Sequence, residues 1–168
     1  MTDVLRLVAG GLIALCVSYV GLCIKRRYQK RAVFFKSATD FTSVLTTELV
    51  MRKTPMPEIV QKFLQGRQGE FENALFEWQS CARKGDTRLA AFEKTAIPIL
   101  KTDEKKEILD FFDGMGKTML DEQLAHAKYY QNMFEKAKAK CEDEAKRLGA
   151  TYFKLCVLLG LAVMLILA

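Results

Sequence analysis

Two apolar runs, one near each end, frame a charged middle, and this arrangement constrains the fold more than any other feature of the chain. The first extends from Leu7 to Ile24 without a charge, and the second from Leu155 to Ala168. Each has its positive flank on the inner side. Lys25, Arg26, Arg27, Lys30 and Arg31 follow the first run, and Lys146, Arg147 and Lys154 precede the second. Moving Lys or Arg across a bilayer is costly, so positive flanks stay cytoplasmic. The pattern predicts a two-span membrane protein with both termini outside and its middle segment in the cytoplasm. The 18 residues of the first run reach about 27 Å at about 1.5 Å each, close to the hydrocarbon thickness. The second run, 14 residues, reaches about 21 Å. It suffices if Tyr152 and Phe153 lie in the interface and Lys154 snorkels toward headgroups.

The first run reads as an uncleaved anchor. No small-x-small cleavage pattern follows it, and five positive charges within seven residues do. The formal net charge of +6 is unevenly placed. Residues 25–36 carry six basic side chains and no acid, whereas residues 37–147 carry 18 basic and 19 acidic side chains, a net of −1. The basicity is therefore a topology signal and a contact for anionic lipid headgroups, and nucleic acid is not an expected partner. Of the five cysteines, Cys16, Cys23 and Cys156 lie in the apolar segments and Cys81 and Cys141 in the middle. They form no CxxC or Cys/His cluster, which argues against a disulfide framework or zinc site.

Hydrophobic periodicity in the middle is helical. Phe34, Ala38, Phe41, Leu45 and Leu49 fall at spacings of four, three, four and four, one face of a helix that continues out of the first span. Lys53-Thr54-Pro55-Met56-Pro57 stops it, because the residue before a proline resists the α conformation. Thr54 is then expected to cap the next helix, with Pro55 in its first turn and Ile59, Val60, Phe63 and Leu64 as its apolar face. A further helix starts near Glu70, carries Phe71, Leu75, Trp78 and Ala82 and stops at Gly85. Asp86 or Thr87 caps a short segment through Ala96, broken by Pro98. Thr102 with Asp103 and Glu104 opens another helix, its acids at the positive end of the helix dipole, and Gly114-Met115-Gly116 turns the chain. Finally Leu120, Leu124, Ala127, Tyr130, Phe134, Ala137, Cys141, Ala145, Leu148, Tyr152 and Leu155 form one long seam, weakened only at Gly149. No segment alternates like a strand. The expected fold is all-α: a cytoplasmic helical bundle at 25–148, flanked by transmembrane helices at 4–24 and 150–168.

Motifs with catalytic potential do not survive inspection. Gly116-Lys117-Thr118 ends like a phosphate-binding loop, but Phe111 stands where the first glycine is needed and a helix, not a strand, precedes it. His126, the single histidine, pairs with Glu122 at i,i+4, yet carboxylate-bridged metal bundles need a second Glu-x-x-His helix, and no nucleophile triad can be assembled around it. The chain is thus expected to be no enzyme, without cofactor or metal. More informative is the helix bearing Asp103, Glu104, Glu107, Asp110 and Asp113, a candidate docking surface for a basic partner, where charge complementarity gives steering and register. In the apolar segments, Gly10, Gly11, Gly21 and Gly160 would let helices approach closely.

Three stretches carry a family resemblance. The short N-terminal anchor is followed by basic residues and a helix. Leu45-Thr-Thr-Glu48-Leu49 with Thr54-Pro55-Met56-Pro-Glu58 is similar to an L-x-x-E-I…T-P-L-x-E-A pattern. Gly116 and Gln123 precede a long helix running through Tyr152 into a glycine-containing terminal segment. Met119, Ile59 and Cys156 depart from the pattern. The chain so resembles the stage III sporulation protein AB family, which is similar to the cytoplasmic domain of the type II secretion and type IV pilus inner-membrane platform protein. The resemblance implies a platform subunit of the mother-cell-to-forespore channel complex in the mother-cell-derived outer forespore membrane. Its bundle would face the mother-cell cytoplasm. The implied partners are a sporulation-specific secretion-type ATPase and other channel subunits of the same operon, with membrane lipid and a possible homo-oligomer. Glu48 and the Gly116–Gln123 corner join the acidic helix as candidate docking residues, and Thr54, Pro55, Gly114 and Gly116 are candidate turn residues. A general secretion or pilus platform component is the alternative reading; it calls for a second copy of the bundle, and this chain has one.

Overall fold

The computed structural model describes the backbone of residues 2–52, 54–84, 99–116 and 119–167, and the side chains within them except those of 2–9, 81–84, 164 and 167. Six α-helices account for most of this: α1 Thr2–Met51, α2 Met56–Leu64, α3 Glu70–Lys84, α4 Thr102–Gly114, α5 Leu120–Glu144 and α6 Ala150–Leu167. A single π-helical turn, Ala145–Gly149, joins α5 to α6. Among the described residues there is no strand. The expected short segment capped by Asp86 or Thr87, and Lys117 and Thr118 of the phosphate-loop-like triplet, lie outside those residues.

The chain divides into two compact units. One comprises Met1–Ala32 with Lys140–Ala168, and the other Val33–Ala139. In the second unit the expected seam of α1 is the core: Phe34, Ala38, Phe41, Leu45 and Leu49 are all buried. Around it sits an aromatic cluster. Phe41 meets Phe63 of α2 at 5.1 Å, Phe71 of α3 at 5.8 Å and Phe111 of α4 at 6.2 Å between ring centroids, and Phe111 meets Phe134 of α5 edge-on at 5.2 Å. Every described helix of this unit therefore contributes a ring to one contiguous core. Such pairs favour edge-to-face and offset geometry because the ring face is negative and its edge positive. Trp78, also buried, donates its indole N–H to the Phe112 carbonyl at 3.2 Å, which satisfies its one polar atom.

The buried hydroxyls of α1 are satisfied inside the helix itself. Thr39 Oγ1 donates to the Phe35 carbonyl at 2.8 Å and Thr42 Oγ1 to the carbonyls of Ala38 and Thr39 at 3.1 and 2.9 Å. Thr46 and Thr47 repeat the pattern onto Thr42 and Ser43. Back-bonding of this kind removes the desolvation cost of a buried hydroxyl without a partner on another helix.

The first unit is built differently. Here α1 and α6 meet where side chains are small. A β-carbon placed on Gly21 would stand 2.7 Å from Cys156 Cβ, and one on Gly160 would stand 3.1 Å from the Ala14 backbone. Gly149, on the π turn, lies within 3.7 Å of Lys25 Cα and Tyr28 Cβ by the same measure. Gly10 is buried, and Gly11 faces open space. The contact is reinforced by a stacked Tyr28–Tyr152 ring pair at 6.5 Å, Lys25 Nζ 5.4 Å from the Phe153 ring, and a buried ion pair, Arg31 Nη1 to Glu144 Oε2 at 2.8 Å.

Two expectations about the last helix change. The seam from Leu120 keeps its buried face through Ala127, Phe134 and Cys141, but Leu148, Tyr152 and Leu155 are exposed. The π turn inserts one extra residue and so hands the contact with α1 to Gly149, Phe153, Cys156 and Gly160. Gly149 does more than weaken the seam: it is where the seam changes. Among the described residues, moreover, no helix is long and apolar enough to cross a membrane. Part of each expected span, 4–24 and 150–168, lies outside the described side chains.

Candidate functional site

The α1–α2 connection is organised by Glu48. Its Oε1 accepts from Lys62 Nζ at 2.6 Å and stands 3.7 Å from Arg52 Nη1, while Oε2 accepts from the Thr54 hydroxyl at 3.0 Å. The hydrogen bond from Lys62 holds the carboxyl below its ordinary pKa; burial opposes this, and Thr54 and the charges of Lys62 and Arg52 support it. With 11% of its side chain exposed, Glu48 is a clamp between α1 and α2.

Thr54 is not the helix cap that its spacing predicts. Its hydroxyl goes to Glu48, Pro55 occupies the N-cap position without a side-chain cap, and Pro57 rather than Pro55 sits in the first turn. The Pro55 carbonyl accepts from the Glu58 and Ile59 N–H groups at 3.0 and 3.2 Å, so the turn is closed by backbone. The proline pair costs nothing here, since the first N–H groups of a helix have no intrahelical acceptor.

The acidic helix α4 turns Ile108, Phe111 and Phe112 into the core. Its acids then divide. Asp103 and Asp110 are exposed, whereas Glu104, Glu107 and Asp113 are half-buried. Glu104 accepts from the Lys101 backbone N–H at 2.9 Å, closing the first turn from the N3 position. Lys101 rather than Thr102 is therefore the residue at the cap, and Thr102 is the first helical residue. Asp110 and Glu107 also act on Tyr130 of α5, whose phenol is pushed up by burial first and then by these charges and Tyr129.

Where α4 ends, Gly114 meets the ring of His126, and a β-carbon there would collide with the imidazole. Gly116 has a φ of 74°, a left-handed conformation that glycine adopts without steric cost, and it is exposed; buried Met115 between them plugs the core. Both glycines are thus required, for different reasons. His126 stacks on Phe111 at 5.7 Å and packs on Tyr130 at 4.6 Å, and burial lowers its pKa. Glu122 is exposed, whereas His126 is packed among rings, and the described residues hold no group of acids, cysteines and histidine able to bind a metal ion. Gln123 is half-buried, with its backbone N–H on the Met119 carbonyl at 2.9 Å.

The candidates therefore fall into two places. Glu48, Thr54 and Pro55 form one cluster with Lys62 and Arg52. Asp110, Glu107, Gly114 and the start of α5 form another around Tyr130 and His126. Sequence reading did not single out Lys62, Tyr130, or the Arg31–Glu144 pair. The last joins positions 113 residues apart, with no local spacing to betray it.

A family model described as stage III sporulation protein AB matches residues 6–168, essentially the whole chain. The chain belongs to that family. No match to it is found among curated proteins or solved structures.

Proposed function

With membership of the stage III sporulation protein AB family as the premise, and with it a role in sporulation, we propose that the chain is a non-catalytic platform subunit of the mother-cell-to-forespore channel complex. Its helical unit docks a secretion-type ATPase on the mother-cell side. The observation that carries the docking half of the reading is the outward stripe of α4: its apolar face is fully used in the core, which leaves Asp103 and Asp110 exposed beside Lys106. Two exposed acids flanking a lysine make a patterned charge surface, and complementary charge on a partner gives steering and register.

Membrane anchoring rests on the uncharged run Leu7–Ile24, the apolar run Leu155–Ala168 and the basic residues on their inner flanks. On this reading both termini lie outside and the bundle faces the mother-cell cytoplasm in the outer forespore membrane.

Reversing both exposed acids (Asp103→Lys with Asp110→Lys) tests the docking surface without touching the core. Pull-down of the ATPase should fall at least tenfold and become less salt-sensitive; unchanged recovery would move docking to another face. Reporter fusions at Ala168 and near Gly85 should report opposite sides of the membrane, and two cytoplasmic signals would remove the second span.

A further inference from the structure

The sequence of α6 contains two seams one residue apart. The seam in use is Gly149, Phe153, Cys156 and Gly160, the set that meets α1 at Lys25, Tyr28, Gly21 and Ala14. The other is Leu148, Tyr152, Leu155 and Leu159, spaced four, three and four, each 40–60% exposed; of these Tyr152 already stacks its ring on Tyr28 of α1. This second set continues the buried α5 positions Phe134 and Cys141 at regular α-helical spacing. A π turn differs from an α-helix by one inserted residue, and the offset between the two seams is also one residue. The turn at Ala145–Gly149 is therefore what allows the small seam to replace the large one.

We propose that α6 has two registers on α1, and that the π turn is the movable element that selects between them. Annealing the turn to α geometry rotates α6 by about 100° and advances it about 1.5 Å, which brings Leu148, Leu155 and Leu159 against α1 and turns Tyr152 further toward it. Because these side chains are bulky, the helices move apart from the close glycine contact toward an ordinary spacing of about 8–10 Å. The face offered to neighbouring molecules changes with it. Shifts of this type between two packings of one sequence are a known form of switch.

Local chemistry supports a poised turn rather than an accident of packing. The Arg147 carbonyl accepts from the Ala150 N–H and, at 2.6 Å, from the Thr151 hydroxyl. Thr151 thus adds a second donor to a carbonyl inside the turn. Immediately before the turn, the buried Glu144–Arg31 pair fixes the chain to α1, so the rotation begins at a defined point. Gly149 permits either state: a β-carbon there would have only ordinary contacts, the nearest at 3.7 Å.

Disulfide trapping in the full chain decides the matter, with the five native cysteines replaced by Ala. A β-carbon on Gly149 would stand 3.7 Å from Tyr28 Cβ, within the span that a disulfide bridges, so Tyr28→Cys with Gly149→Cys reports the present register. Tyr28→Cys with Leu148→Cys reports the annealed one, and Tyr28→Cys with Arg147→Cys gives the background. Under mild oxidation both the position-149 and the position-148 pairs should form, the second in the minority but at least fivefold above background. Thr151→Val should raise the position-148 pair several-fold. Deleting Lys146, which removes the extra residue while keeping the small seam inward, should abolish the position-148 pair and retain the position-149 pair. A position-148 pair at background with and without Thr151→Val overturns the proposal, as does a position-148 pair that the deletion leaves unchanged. The position-149 pair shows in each case that the helices still associate.

Discussion

The two compact units solve the problem of helix packing by opposite means. In Val33–Ala139 the helices are held together by large rings, with Phe41, Phe71 and Phe111 each touching several others. In the unit of the two chain ends the helices come closest where side chains are missing, at Gly21 and Gly160, with the Arg31–Glu144 ion pair and the Tyr28–Tyr152 stack alongside. The first arrangement is sensitive to lost volume and the second to added volume. Stability in the one comes from filling space and in the other from leaving none to fill.

The largest expected effect follows from removing a ring. Phe111→Ala takes away a fully buried side chain that contacts α1 and α5, and should cost about 3–5 kcal/mol. Chemical denaturation of the full chain, with hydrogen exchange to locate the loss in residues 33–139, checks it; a change below 1 kcal/mol would sink the idea of a single aromatic core. The converse test adds a methyl group to the other unit. Gly160→Ala presses on the Ala14 backbone at 3.1 Å and should cost about 1–3 kcal/mol, read as lost exchange protection in α6. If this substitution proves stabilising, the close contact is not what holds the pair.

The smallest effect is conditional on pH. The folded-state pKa of Glu48 is depressed, so its clamp stabilises fully above the unfolded carboxyl value of about 4.3. That contribution is lost as pH falls through the lower folded value. Glu48→Gln should therefore lower the denaturation midpoint at neutral pH, and the difference from the parent chain should close in acid. A gap that stays constant down to pH 2–3, an acid range chosen to lie below the ordinary carboxyl value, would mean that the charge of Glu48 plays no part.

What could be read from the sequence differs between the units for the same physical reason. Bulky apolar residues announce a core face by their spacing. Phe34 through Leu49, Ile59 to Phe63, and Phe71, Leu75 and Trp78 are buried as their periodicity predicts. In the other unit the small residues Gly21 and Gly160 mark the close approach that their size predicts, but a one-residue insertion in a helix carries no periodic signal, so an unbroken α spacing points Leu148 and Leu155 inward where they are exposed. Among the candidate site residues, the turn glycines could be located but not explained. Gly114 is forced by the ring of His126, which lies twelve positions away on α5, and only the folded chain shows that. Spacing points the Thr54 hydroxyl to the helix N–H groups just after it, whereas it binds the carboxylate of Glu48, six positions back.

The self-bonded threonines of α1 bear on how such a protein can change over generations. Because Thr39 and Thr42 carry their polar groups through the core on their own helix's carbonyls, no residue of α2 to α5 has to match them. At these two positions the surrounding helices have only to supply volume, and can drift in sequence while the hydroxyls stay satisfied. A lineage built this way can keep its architecture long after its individual side chains have ceased to be recognisable.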